Sequence, residues 1–318
     1  MDEINTRLIY LFTDLILPLI VGYVLYQRHL LSDTAVNRLI RINVIVFFTL
    51  LSLFSFWALP LTRDLLMLPA FFAFIILFPG FISWRLLGRR FRSPIDRGTH
   101  LISALLSNIG TLGGICAYII YGERGFAYAQ IGGACQNLAL VILAFPIAQY
   151  YYLLNKTHGR AARLEGRSFL GLLVSWNQLS ILGMAAGLLL NAGGVTRPPV
   201  LSEAFGYIIH VSAWFAMLPV GSLINLRRAR HLVYLTLDMI ALRFLIVPLF
   251  TFFAARIFIS DPVVQNALVI FAGVPAAINA TLTARLYRLN VDYTIAVFLV
   301  TTVLYLTILF PVIFFLFR

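Results

Sequence analysis

The most constraining feature of this 318-residue chain is a succession of apolar stretches of about 20 residues, each long enough to cross a hydrocarbon core as a helix. Hydropathy and flanking charge place them near 8–27, 40–60, 65–86, 100–121 and 126–154, then near 169–190, 201–224, 232–255, 263–284 and 292–317. Hydrophobic residues make up 61% of the chain and charged residues 11%, against roughly 25% charged in soluble domains. Only a bilayer solvates so much apolar surface, so the expected fold is an all-α integral membrane protein with ten transmembrane helices. The polar start MDEINTR runs into the first span with no small-residue cleavage site behind it, which reads as a retained span rather than a signal peptide. Cys116 and Cys135 both lie inside apolar stretches and no His/Cys cluster has ligand spacing; disulfide, metal site and cofactor are therefore not expected.

Charge sets the direction. With the N-terminus outside, the loops after spans 1, 3, 5, 7 and 9 hold seventeen arginines and lysines between Arg28 and Arg288. The opposite side holds six: Arg7, Arg63, Arg124, Arg197, Arg256 and Arg318. That asymmetry predicts a multi-pass protein of the cell (inner) membrane with both termini outside. It also accounts for the net charge of +12 through an anionic leaflet, with no nucleic-acid partner.

Shifted by 165 residues, the chain overlays itself. LILPLIVGYVL (15–25) falls on SILGMAAGLLL (180–190), LVILAFPIAQYYY (140–152) on YLTILFPVIFFLF (305–317), Gly22 on Gly187, Tyr128 on Tyr293 and Pro146 on Pro311. A constant offset at both ends of the unit indicates a repeat over 1–155 and 168–318. Five spans is an odd number, so the second copy enters the membrane inverted, the arrangement of many secondary transporters.

The same shift lays Ser107-Asn108-Ile109-Gly110-Thr111-Leu112-Gly113-Gly114 of span 4 over Ala272-Gly273-Val274-Pro275-Ala276-Ala277-Ile278-Asn279 of span 9. Pro275 has no N–H and clashes with the Phe271 carbonyl, and the glycines permit backbone opening. Helices broken at mid-membrane, and crossing there, aim half-helix N-termini at an anion, with Asn108 and Asn279 offering amide hydrogen bonds. The glycines equally fit close helix packing, and Pro275 a plain kink. Gln136 and Asn137 of span 5 map onto Thr301 and Thr302 of span 10, as cavity lining or as interhelical hydrogen bonds.

These residues resemble the auxin efflux carrier family in its compact bacterial form. The likeness is carried by Asn108-Ile109-Gly110-Thr111-Leu112-Gly113-Gly114 with Tyr121-Gly122-Glu123-Arg124-Gly125, and by Val274-Pro275-Ala276-Ala277-Ile278-Asn279 with Ala284-Arg285-Leu286-Tyr287. Val291-Asp292, Thr301-Thr302 and the stretch from Arg243 to Pro248 add to it, so it spans nearly the whole chain. It implies a scaffold domain of spans 1, 2, 6 and 7 and a transport domain of spans 3–5 and 8–10. Helices 4 and 9 would cross at the substrate, a small organic acid moved by an elevator-like motion. The chain departs from the family pattern at Ile115, where span 4 usually has proline, and after Asn43-Val44-Ile45, where span 2 usually has one. The loop from Lys156 to Arg167 lacks the long hydrophilic insert of many plant carriers.

Arg243, some twelve residues into span 8, is a charge deep in the bilayer that calls for a partner. It serves either to attract an anionic substrate or to make a structural pair with a carboxylate or carbonyls. Asp238 is a proton-coupling candidate on the same helix, about 140° around the axis from Arg243. His210, alone in span 7, reads as a packing residue, Asp14 as a water-exposed group near the outer interface, and Trp57 and Trp84 as interface anchors. No nucleophile and base converge in sequence, so an intramembrane enzyme is not expected. The candidate substrate-binding set is thus Asn108, Gly110, Gly113, Gly114, Gln136, Asn137, Arg243, Pro275 and Asn279, in a secondary transporter of a small organic anion. A sodium-coupled symporter of similar fold and a non-transporting sensor are the alternatives, and a homodimer is an open partner state. Few oxygen ligands at the crossing favour proton coupling or uniport.

Overall fold

A computed structural model describes residues 3–157, 179–222 and 233–317. The described residues are mainly helical, with no β-strand among them. The helices are α1 (Asn5–Gln27), α2 (Asp33–Trp57), α3 (Arg63–Arg85), α4 (Pro94–Leu105), α5 (109–121), α6 (123–156) and α7 (Leu179–Ala192). There follow α8 (Pro199–Ser222), α9 (Tyr234–Phe258), α10 (Pro262–Ala272), α11 (Ile278–Leu286) and α12 (Val291–Phe317). Seven helical stretches of the described residues are long and apolar enough to cross a bilayer. The protein is a multi-pass, all-α membrane protein. The first half of the expected sixth span and most of the loops around Arg163 and Arg228 lie outside the described residues.

One of those seven, Ile109–Lys156, has 48 residues, about 72 Å if straight, more than twice the roughly 30 Å of a hydrocarbon core. It does not run straight. Gly122 adopts φ 62° and ψ −148°, a region open in practice only to glycine, and there α5 turns into α6. The next residue, Glu123, forms a bidentate pair with Arg197 in the turn between α7 and α8, at 2.5 and 3.2 Å.

Among the described residues six helical turns are widened to the π form: Leu11–Ile16, Asn43–Phe47, Ile109–Gly113, Leu140–Ala144, Leu242–Ile246 and Tyr305–Leu309. Pro18, Pro146, Pro248 and Pro311 each follow the end of one by two residues. A proline lacks the N–H that would bond the carbonyl four residues back, and its ring crowds that carbonyl. A wider turn relieves the clash while keeping the other carbonyls bonded.

Packing pairs α1 with α8 and α2 with α7. Both seams close on missing side chains: the space a Cβ would fill at Gly22 holds the Leu218 carbonyl, and at Gly187 it holds the Leu53 carbonyl. Around α3–α6 and α9–α12 lies the main apolar core, centred on Phe72, Ile109, Phe271 and Phe298. A second cluster of Phe48, Leu51, Phe126 and Phe205 joins α2, α6 and α8.

Candidate functional site

The expected spans 4 and 9 are each broken. Helix α4 stops at Leu105; Leu106 and Ser107 run non-helically and α5 restarts at Ile109. Helix α10 stops at Ala272, and α11 restarts at Ile278. The two interruptions pair as an isolated antiparallel bridge between Ser107 and Ala276. Asn108 N–H donates to the Pro275 carbonyl at 2.9 Å, and Ala277 N–H to the Leu106 carbonyl at 3.0 Å. Each break thereby satisfies backbone groups of the other, which non-helical backbone needs wherever water is scarce.

Side chains complete the pairing. Gln136 Oε1 accepts from the Ser107 backbone N–H and from Ser107 Oγ, both at 3.2 Å, while its Nε2 reaches the Leu105 carbonyl at 3.5 Å. Thr301 Oγ1 accepts from Ala276 N–H at 3.2 Å. Arg243, wholly buried, donates from Nη2 to the carbonyls of Ser103, Ala104 and Leu106 at 3.1, 2.6 and 3.0 Å. Those carbonyls end α4, where the helix dipole concentrates partial negative charge, so the guanidinium meets its complement there. Of the two roles open to Arg243, the structure places it on carbonyls; its Nε and Nη1 are buried with no hydrogen-bond partner among the described residues.

Asn108 caps α5 through a 3.5 Å contact from Leu112 N–H to its Oδ1. The Ala277 position that opens α11 has no side-chain cap. Asn108, Gly110, Asn137, Ile278 and Asn279 are half-buried and edge the crossing, while Pro275, Gln136, Gly113 and Gly114 are buried. Gly113 packs against Val274 and Phe271, and Gly114 against Phe126 and Ala129, so both serve close packing. Gly110 lies against Gly133 of α6, and its carbonyl accepts from Gln130 Nε2 at 3.0 Å. Asn108, Pro275, Gln136 and Arg243 therefore converge at one place, with Asn279 one residue into α11 and Asn137 beside Gln136.

The sequence matches no family model and no curated protein.

Asp238 belongs to a different cluster, one turn and more along α4 from the crossing. His100 Nε2 lies 2.8 Å from Asp238 Oδ2, and His100 Nδ1 lies 2.7 Å from Ser83 Oγ. Arg90 Nη2 donates to Asp238 Oδ1 at 2.9 Å and to the Leu235 carbonyl at 2.6 Å. The ring is fully buried between Phe91 and Tyr293. A serine hydroxyl both donates and accepts, so this chain holds a neutral or a protonated imidazole on the same heavy atoms. Serine, histidine and carboxylate do converge here, contrary to the reading of the sequence, with His100 between the buried Ser83 and Asp238. Sequence reasoning missed His100. Its only local signal was the polar run Gly98-Thr99-His100 at the mouth of an apolar span.

One further expectation is corrected. Asp14 is buried rather than water-exposed, and it pairs with His210 Nδ1 at 2.6 Å. His210, read as a packing residue, lies against Tyr10 at 4.3 Å between ring centres besides bonding Asp14. Among the described residues no group of three His, Cys, Asp or Glu is arranged to hold a metal.

Proposed function

We propose that the chain is a secondary transporter of a small organic anion, built as ten helices in two inverted five-helix repeats and related to the auxin efflux carriers. Spans 1, 2, 6 and 7 form its scaffold and spans 3–5 and 8–10 its moving domain. The supporting observation is the crossing, where two broken helices exchange backbone hydrogen bonds and leave half-buried amides beside an uncapped helix start. An N-terminus with unused N–H groups suits a carboxylate, and a site made of dipoles binds weakly enough to release it.

Three relations at the offset of 165 residues support the repeat. The π turns at Leu140–Ala144 and Tyr305–Leu309 are separated by it. Gly22 against Leu218 becomes, on shifting both residues and exchanging copies, Gly187 against Leu53. Gln136 and Thr301 are related by it as well, each accepting from a backbone N–H of its own break, Ser107 and Ala276. At the bridge the offset is 169, Ser107 to Ala276, so the overlay drawn from sequence slips by about one helical turn at the breaks.

In this reading the Arg90, Asp238, His100 and Ser83 chain is the proton-coupling element. Its position on α4, about 8 Å along the helix from the break, lets protonation bear on the crossing. The test is flux in liposomes of labelled malate, malonate and indole-3-acetate, with Asn108→Ala and Asn279→Ala beside the wild-type chain. Saturable flux that falls in both correctly folded variants supports an anion carrier at the crossing. Unchanged flux in both moves the site elsewhere.

A further inference from the structure

The turn after α3 carries more positive charge than its own contacts use. Three arginines, Arg85, Arg89 and Arg90, lie within six residues, and they divide. Arg90 reaches Asp238, whereas Arg85 and Arg89, equally exposed, face Arg97 across a cavity of about 190 Å³. Its lining takes in Ser83, Trp84, Gly88, Leu101 and Tyr151 besides the three arginines that face it, with no acidic residue. Among the described residues none of these three arginines pairs with a carboxylate. Arg97 Nε bonds the Gly88 carbonyl at 3.3 Å and Arg85 lies over the Trp84 ring at 5.0 Å, which leaves most of their donors unused. Three cations at one pocket repel one another unless an anion joins them, and guanidinium forks match phosphate oxygens in pairs.

What surrounds the pocket selects the kind of phosphate. Leu77, Phe81 and Trp84 are exposed and follow one another by four and three residues, which puts them on one face of α3 leading to Arg85. An apolar stripe on a membrane helix that ends at a basic pocket offers a path for acyl chains and a seat for a headgroup. We propose that this pocket binds an anionic phospholipid, its phosphate on Arg85, Arg89 and Arg97 and its chains along Leu77, Phe81 and Trp84. The lipid neutralises the arginines of the turn that Asp238 does not, Arg90 being held by Asp238. This assignment stands on the membrane fold and is independent of the transported substrate.

The experiment is native mass spectrometry of the full chain in detergent, titrated with phosphatidylglycerol, phosphatidylcholine or inorganic phosphate. The wild-type protein is expected to hold phosphatidylglycerol at least about tenfold more tightly than phosphatidylcholine. R89Q, a change at an exposed residue, should weaken that preference, R85Q/R89Q should abolish it, and R85K/R89K should retain much of it. R63Q, the same charge loss at the opposite end of α3, should leave it intact. Equal binding of the two lipids, or an undiminished preference in R89Q and R85Q/R89Q, would overturn the proposal. Inorganic phosphate binding as tightly as phosphatidylglycerol would assign the site to a soluble anion and overturn the lipid.

Discussion

The two helix breaks meet the same need by different means. At the first, between α4 and α5, side chains do the satisfying: Arg243 covers three carbonyls, Gln136 spans the gap from Leu105 to Ser107, and Asn108 caps the restart. At the second, between α10 and α11, composition removes part of the need. Pro275 has no N–H to satisfy, Thr301 supplies one acceptor, and no side chain caps Ala277. Among the described residues no arginine lies on the carbonyls that end α10. The first break is thus a fixed joint, and the second keeps open donors at the start of α11. The anion proposed above would then meet a helix start that no side chain caps.

Substitutions graded by size test that contrast. Arg243→Leu strips a cation from three buried carbonyls, and unfolding in detergent should show the largest loss, about 3–5 kcal/mol, as for breaking a buried charged contact. A loss no larger than that of Thr301→Val would erase the distinction between the breaks. Gln136→Leu leaves the Ser107 N–H without an acceptor and should cost about 1–3 kcal/mol, with a parallel fall in flux. Thr301→Val, its counterpart, should cost about 1 kcal/mol, because the same side chain also bonds Val297 of its own helix. Asn108→Ala removes only a long capping contact, and its stability change should be about 0.5–1 kcal/mol. Its flux defect should then exceed what that small change explains; a purely structural cap would show none.

Much of the fold was legible because a bilayer leaves so few options for an apolar stretch. Hydropathy located the spans yet set the start of α2 seven residues late. The first turns of that helix carry Asp33, Asn37, Arg38 and Arg41, and Ser32 caps it with a 3.2 Å contact to Ala35 N–H, a polar beginning that hydropathy cannot see. At the crossing, Pro275 announced itself as a breaker, whereas Asn108, read as an amide for a bound anion, also caps α5. The glycines after Asn108 misled, since the chain breaks before them and they lie inside a helix that has already restarted. The clusters of His100 with Asp238 and Asp14 with His210 were not legible at all. Their partners are 138 and 196 residues apart, and only the packing of α4 on α9 and α1 on α8 brings them together.

The seams at Gly22 and Gly187 limit how this protein can change. Where a side chain crowds its neighbour, a second substitution can trim the neighbour and restore the fit. At these two positions the neighbour is a peptide carbonyl, which every amino acid carries, so no replacement at Leu218 or Leu53 makes room for a methyl group. An alanine at either place can be accommodated only by moving whole helices apart. Suppressor screens begun from G22A or G187A should therefore return reversion to glycine in preference to any change at the facing residue.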